Sequence, residues 1–94
     1  MLFLCLQAWH KWNTQTIADP TLGFAGFDGI DWDIEGNDDE ASVYNTFSWP
    51  CLDLMGQFSV LAKRAGYIVA MAPAESYLDP TTSLFDRLVS VYLQ

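Results

Sequence analysis

Apolar residues recur every three to four positions near the start of the chain, which predicts a helix over residues 2–17. The recurring positions are Leu6, Trp9, Trp12 or Asn13, and Thr16 or Ile17. Asp19-Pro20 should end this helix, because proline disfavours helical backbone in the residue that precedes it. His10 has no evident partner in the sequence and is interpreted as a surface residue of the helix.

A second helix is predicted to begin at Ser48-Trp49-Pro50, since proline is favoured in the first helical turn. Its apolar positions follow helical spacing at Leu54, Phe58, Leu61 and Ala65. Lys63 and Arg64 suit the last turn, where the helix dipole favours cations. Gly66 then supplies a C-terminal stop.

Two further stretches have the pattern of β-strands. Residues 27–35 alternate between polar and apolar side chains, and residues 67–72 form a continuous apolar run, typical of a strand buried on both faces. Pro73 should end the second strand. Asp79-Pro80 is expected to open a short helical turn, and Leu88 to Tyr92 is a candidate third strand.

The predicted order is therefore helix, strand, helix, strand, short helix, strand. This alternation favours an α/β fold with a parallel sheet and crossover helices. A doubly wound sheet and a (β/α)₈ TIM barrel are both compatible with it. A barrel needs about 250 residues, so 94 residues would supply roughly three of its eight strands.

The strand at residues 27–36 reads FDGIDWDIEG and carries four acids. Alternation along a strand places Asp31, Asp33 and Glu35 on one face, about 6–7 Å apart along the chain. The other face carries Ile30, Trp32 and Ile34. Neighbouring carboxylates raise one another's pKa, so we expect one of them to stay protonated near neutral pH, as a general acid must.

The spacing D-x-x-D-x-D-x-E resembles the signature of glycoside hydrolase family 18, the chitinases and chitinase-like proteins. The matching acids are Asp28, Asp31, Asp33 and Glu35, within Phe27-Asp28-Gly29-Ile30-Asp31 and the residues after it. Residues 70–80 are similar to the family's fifth barrel strand and following loop, and 85–92 to its sixth. The resemblance implies that residues 1–94 are a fragment of a family 18 catalytic barrel, a partial TIM barrel covering roughly strands 4 to 6.

The resemblance also implies an activity, namely retaining, substrate-assisted hydrolysis of β-1,4-linked N-acetylglucosamine in chitin or chito-oligosaccharides. Glu35 would be the general acid, Asp33 would hydrogen-bond the acetamido N–H of the substrate, and Asp31 would share a proton with Asp33. Asp28 would be structural. No cofactor or metal is implied. Secretion would follow from the family resemblance, although the opening MLFLCLQAW lacks the features of a signal peptide.

Three further residues are candidates for substrate binding. Tyr92 is similar in place to a strand-six tyrosine of the family, which binds the acetamido carbonyl. Met71 is either ordinary core or part of the sugar pocket, and Glu75 is either a solvated loop acid or a substrate contact.

The acids also permit two other interpretations. One is a solvated acidic edge, which the apolar residues between the acids disfavour. The other is an EF-hand calcium loop that starts at Asp31, but its position 12 would be Ser42 instead of glutamate, and its position 8 would be Asp38 instead of an aliphatic residue.

Composition and charge narrow the function classes. The chain is 51% hydrophobic and 17% charged, which excludes a disordered chain and suggests part of a larger protein. A net charge of −8 with four basic residues excludes phosphate-driven binding of nucleic acid and disfavours anionic membranes. Cys5 and Cys51 fit no metal or redox spacing, so their pairing stays open.

We therefore expect a chitinase-like hydrolase that works in a longer chain. One alternative is a chitinase-like protein that binds chitin without turnover, although Glu35, whose loss usually marks such proteins, is present. The other is a truncated, inactive fragment.

Overall fold

The computed structural model describes residues 1–33, 48–73, 75–81, 85, 86 and 89. The named elements of these described residues are two α-helices and a two-stranded parallel sheet, together with short helical segments. In chain order the elements are α1 (Leu2–Lys11), a π-helix (Trp12–Ile17), a 3₁₀ helix (Pro20–Leu22), β1 (Gly29–Trp32), α2 (Trp49–Arg64), β2 (Ile68–Met71) and a second 3₁₀ helix (Glu75–Leu78). None of the described helices is long and apolar enough to cross a membrane.

The helix predicted over residues 2–17 is confirmed, with one difference in its last six residues. After α1 the helix continues without a break, but Trp12–Ile17 are π-helical. Ala18 then turns to extended backbone, and Asp19 accepts a hydrogen bond from the backbone N–H of Thr21 at 3.0 Å. The chain therefore leaves the helix where Asp19-Pro20 predicts.

Helix α2 begins and ends as predicted, but it buries a different side. Its N-cap is Ser48, and Gly66 follows its end with φ +94°. Its buried positions are Leu52, Met55, Gly56, Ser59 and Ala62, whereas Leu54 is 50% exposed. Because Gly56, Ser59 and Ala62 are small, the sheet can approach this side of the helix closely.

The two strands pair in parallel, as the alternation of strand and helix predicts. Gly29 pairs with Ile68 and Asp31 with Ala70. The pairing is bounded by a hydrogen bond from Ile68 N–H to the carbonyl of Asp28 at 2.9 Å, and by one from Ala72 N–H to the carbonyl of Trp32 at 3.0 Å. Strand β1, helix α2 and strand β2 thus form one βαβ unit.

One face of this sheet packs on α2 and the other is open. Trp32 and Met71 contact the buried pair Leu52 and Met55. On the opposite face Asp31 and Ala70 are exposed, and Ile68 is 65% exposed. The prediction that residues 67–72 are buried on both faces is therefore wrong, because helix covers only one face among the described residues.

The predicted partial TIM barrel with strands 4 to 6 is also wrong. The part of the chain that the structure describes has two α-helices of ten or more residues and a two-stranded sheet, which is too small for that architecture. Val89, inside the candidate third strand, has helical backbone, and the other residues of Leu88 to Tyr92 lie outside the described ranges. A barrel strand is packed on both faces, whereas β1 and β2 each have one exposed face.

Candidate functional site

The acidic residue of β1, Asp31, lies on the open face of the sheet. Asp31 is exposed in the middle of β1, and Asp33 is exposed immediately after its end. Trp32 points the other way, toward α2, where its indole Nε1–H donates to the hydroxyl of Ser59 at 2.9 Å. This hydrogen bond fixes the direction of Trp32, so the alternation predicted for this strand is correct where the structure describes it.

Small and apolar groups border Asp31 on this face. Ala70 lies beside it in the register of the sheet, and the exposed Ile68 lies two residues before Ala70. Gly29 approaches Ile68 so closely that a Cβ on Gly29 would lie 1.8 Å from the Ile68 carbonyl oxygen. The open face therefore combines carboxylates with a narrow apolar strip, which suits a ligand that has both polar groups and an apolar face.

Asp28 differs from the other acids, because its backbone makes the structural contact. Its carbonyl accepts the N–H of Ile68 at the start of the strand pairing. Its side chain is exposed. This backbone contact does not depend on the Asp28 side chain, so the expected structural role of that side chain stays a prediction.

A buried asparagine holds the segment that leads into β1, and the sequence interpretation missed it. Asn13 is 1% exposed. Its Oδ1 accepts the backbone N–H of Phe27 at 2.7 Å, and its Nδ2 donates to the carbonyl of Phe27 at 2.9 Å. The sequence did offer a signal. The apolar spacing of the helix allows either Trp12 or Asn13 at its third inward position, and a strongly polar residue at such a position indicates a buried hydrogen bond.

Among the remaining candidate residues, the structure describes the side chain of Met71, which does not share a face with Asp31. Met71 packs against the Leu52 and Met55 core, on the opposite face of the sheet. Glu75 begins the 3₁₀ helix after β2, at the same edge of the sheet as Asp33, but its side chain is not described. Glu35 and Tyr92 lie outside the described residues.

His10 is exposed on α1, as predicted, but it has a partner that the sequence does not reveal. A hydrogen bond joins its Nδ1 to the hydroxyl of Tyr67, and Trp9 meets the Tyr67 ring edge to face at 4.7 Å between centroids. These contacts tie α1 to the residue immediately before β2.

Two Asp-Pro-Thr turns carry the clearest electrostatic perturbations. Hydrogen bonds from the hydroxyl and then the backbone N–H of Thr21 lower the pKa of Asp19 below its ordinary value. Those from the backbone N–H and then the hydroxyl of Thr81 lower the pKa of Asp79 in the same way. Both turns use their carboxylates to hold local backbone, which is a structural use.

Metal-ligating side chains do not cluster in the described ranges: no three His, Cys, Asp or Glu residues there could hold an ion together. Cys5 is exposed, Cys51 is half-buried, and both are free thiols. Neither cysteine forms a disulfide.

Comparison with known proteins found no matching protein-family model, no matching curated protein and no matching solved structure. The resemblance to family 18 therefore rests on the residues of this chain, chiefly those of the acidic motif.

Proposed function

We propose that this chain supplies the acidic residues for hydrolysis of β-1,4-linked N-acetylglucosamine polymers, by a retaining, substrate-assisted mechanism and as part of a longer chain. One observation carries the proposal: Asp31 of the D-x-x-D-x-D-x-E motif lies in β1, Asp28 and Asp33 flank this strand, and its other face packs on α2. Asp31 and Asp33 are consequently available to a ligand on the open face.

The chemistry needs no nucleophile from the protein. Glu35 protonates the oxygen of the scissile bond while the acetamido oxygen of the substrate attacks the anomeric carbon and displaces the leaving sugar. Asp33 accepts a hydrogen bond from the acetamido N–H and stabilises the cationic oxazolinium ring that forms. Water then opens this ring from the side of the departed sugar, so the anomeric configuration is retained.

Charge and exposure favour a neutral sugar over a phosphorylated ligand. The chain has a net charge of −8, which repels anions. Chito-oligosaccharides are uncharged, and each sugar has an apolar ring face that Ile68 and Ala70 can contact beside Asp31. A solvated acidic edge would explain the exposure of the acids, but not their spacing or the apolar strip beside them.

The test is turnover of a fluorogenic chitotriose substrate, first by residues 1–94 and then by a chain extended with its flanking sequence. Glu35→Gln should abolish turnover, because the amide cannot donate the proton to the leaving oxygen. Asp53→Asn is the matched control: it also removes one negative charge, but Asp53 is exposed on α2 and bonded to Gln57. It should leave the rate unchanged.

Three results would contradict the proposal. Turnover that persists in Glu35→Gln would remove the general acid from its assigned role. Glycan binding without turnover in the extended parent chain would instead support the carbohydrate-binding alternative. A product of inverted configuration, observed by proton NMR early in the reaction, would exclude the substrate-assisted route even if Glu35 proved essential.

A further inference from the structure

Both polar atoms of the Asn13 carboxamide bond to one residue. Its oxygen and its nitrogen both bond to the backbone of Phe27, at 2.7 and 2.9 Å. This two-point contact resembles the pairing of one strand residue with its neighbour, since the N–H and the C=O of the same residue are both satisfied. It fixes the position and the rotation of Phe27, whereas a single hydrogen bond would leave rotation free.

Further contacts hold the Phe27 segment against the helix that carries Asn13. Gly26 has φ +108°, and a Cβ there would lie 2.6 Å from the backbone carbonyl oxygen of Asn13. The rings of Trp12 and Phe27 are nearly parallel, with 6.5 Å between centroids, and Phe24 meets Phe27 edge to face. Because Trp12 and Asn13 begin the π-helix, the altered helical turn presents both side chains to the same segment.

Phe27 lies immediately before the first hydrogen bond of the β1–β2 pairing, which is accepted by Asp28. A shift of β1 by one residue would turn every side chain to the opposite face. Asp31 would then point at the Leu52 and Met55 core, and Trp32 would point into solvent. Any contact that holds Phe27 therefore also determines which face presents the acids.

We infer that Asn13 is a positioning residue, which holds β1 in the register that presents Asp31 and Asp33 on the open face. The inference rests on the proposed function for its catalytic consequence, but not for its structural part. Asn13 itself, 1% exposed and bonded to backbone, is not a group that touches substrate.

Register can be measured directly by disulfide cross-linking in the full chain. Cys5 and Cys51 are first replaced by serine, and Asp31→Cys and Ala70→Cys are introduced, since these residues are register partners on the exposed face. The native register should cross-link on mild oxidation. Asn13→Asp should lower the yield several-fold, because it places a carboxylate against the Phe27 carbonyl. Asn13→Ser, which can keep one hydrogen bond, should have an intermediate yield and remains usable if Asn13→Asp does not fold.

Gln15→Glu is the matched control, because it makes the same amide-to-carboxylate change at an exposed residue of the same π-helix. Its yield should equal that of the parent. All yields are measured well below each variant's unfolding temperature, so a purely stabilising role for Asn13 would not change them. Parental yields in both Asn13→Ser and folded Asn13→Asp would overturn the inference.

Kinetics separate this inference from the proposed function. In chains that retain Asp31, Asn13→Ser should lower kcat about 10-fold to 100-fold with little change in KM, since a displacement of about 1 Å costs about 100-fold in rate. If the parent has no turnover, the proposed function fails, and the cross-linking result still decides the positioning of β1. If the parent is active and Asn13→Ser keeps its kcat, the catalytic consequence is refuted.

Discussion

Replacing Gly29 by alanine tests the close approach of the two strands. The new Cβ would lie 1.8 Å from the carbonyl oxygen of Ile68, 2.6 Å from its carbonyl carbon and 2.8 Å from its nitrogen. All three are backbone atoms of the paired strand, so no side chain can rotate away to relieve the overlap. The strands themselves must separate.

The size of that separation follows from the geometry. Real Cβ contacts do not fall below 3.0 Å, so the 1.8 Å contact requires a movement of at least about 1.2 Å. The hydrogen bond from Ile68 N–H to the Asp28 carbonyl, now 2.9 Å, would then lengthen to about 4 Å and be lost. Overpacking costs about 1–3 kcal/mol and the lost hydrogen bond about 1 kcal/mol, so we expect a destabilisation of about 2–4 kcal/mol.

The assay is urea unfolding followed by far-UV circular dichroism and tryptophan fluorescence. Gly23→Ala is the control, because Gly23 has φ +67° and a Cβ added there would meet no atom within 4 Å, so only backbone strain of about 1 kcal/mol is added. Gly29→Ala should therefore lower the free energy of unfolding at least twice as much. Equal losses in the two variants would refute the close approach of β1 to β2.

Three further predictions concern single contacts. Ser59→Ala removes the acceptor of the Trp32 indole N–H, so the free energy of unfolding in urea should fall by about 1–2 kcal/mol and the tryptophan emission should change. A variant as stable as the parent would contradict the contact. Ser48→Ala should leave the free energy of unfolding nearly unchanged, because the buried Ser48 hydroxyl finds no partner among the described residues. N-cap serines usually contribute about 1 kcal/mol, and a loss of that size in Ser48→Ala would contradict this prediction. Thr21→Val should raise the pKa of Asp19 toward its ordinary 3.8 in a carboxyl NMR titration, since the Thr21 hydroxyl makes the largest contribution to lowering that pKa. As pH falls, the unfolded chain binds a proton at Asp19 before the folded chain does. The stabilisation that Asp19 contributes is therefore complete above pH 3.8 and is lost as pH falls through the lowered pKa of the folded state. An Asp19 titration that does not shift in Thr21→Val would contradict the assignment.

The sequence alone was enough to predict the elements whose signals are local. Proline and glycine mark where helices begin and end, because they change the backbone of their own residue or its neighbour. Asp19-Pro20 ends the first helix, and α2 begins after Ser48 and ends before Gly66, as their positions predict. The alternation in β1 likewise separates Asp31 from Trp32, because opposite directions of successive side chains are a property of any strand.

Only the tertiary structure decided which of these elements meet, and how closely. Three features depend on residues far apart in the chain: the side of α2 that faces the sheet, the two hydrogen bonds between Asn13 and Phe27, and the lack of space for a side chain at Gly29. Met71 belongs to the α2 face and not to the acidic face because of its register with Trp32. The barrel prediction failed for the same reason: strand–helix alternation predicts parallel pairing, but the number of strands that pair and the faces that stay open are set by contacts that no local pattern contains.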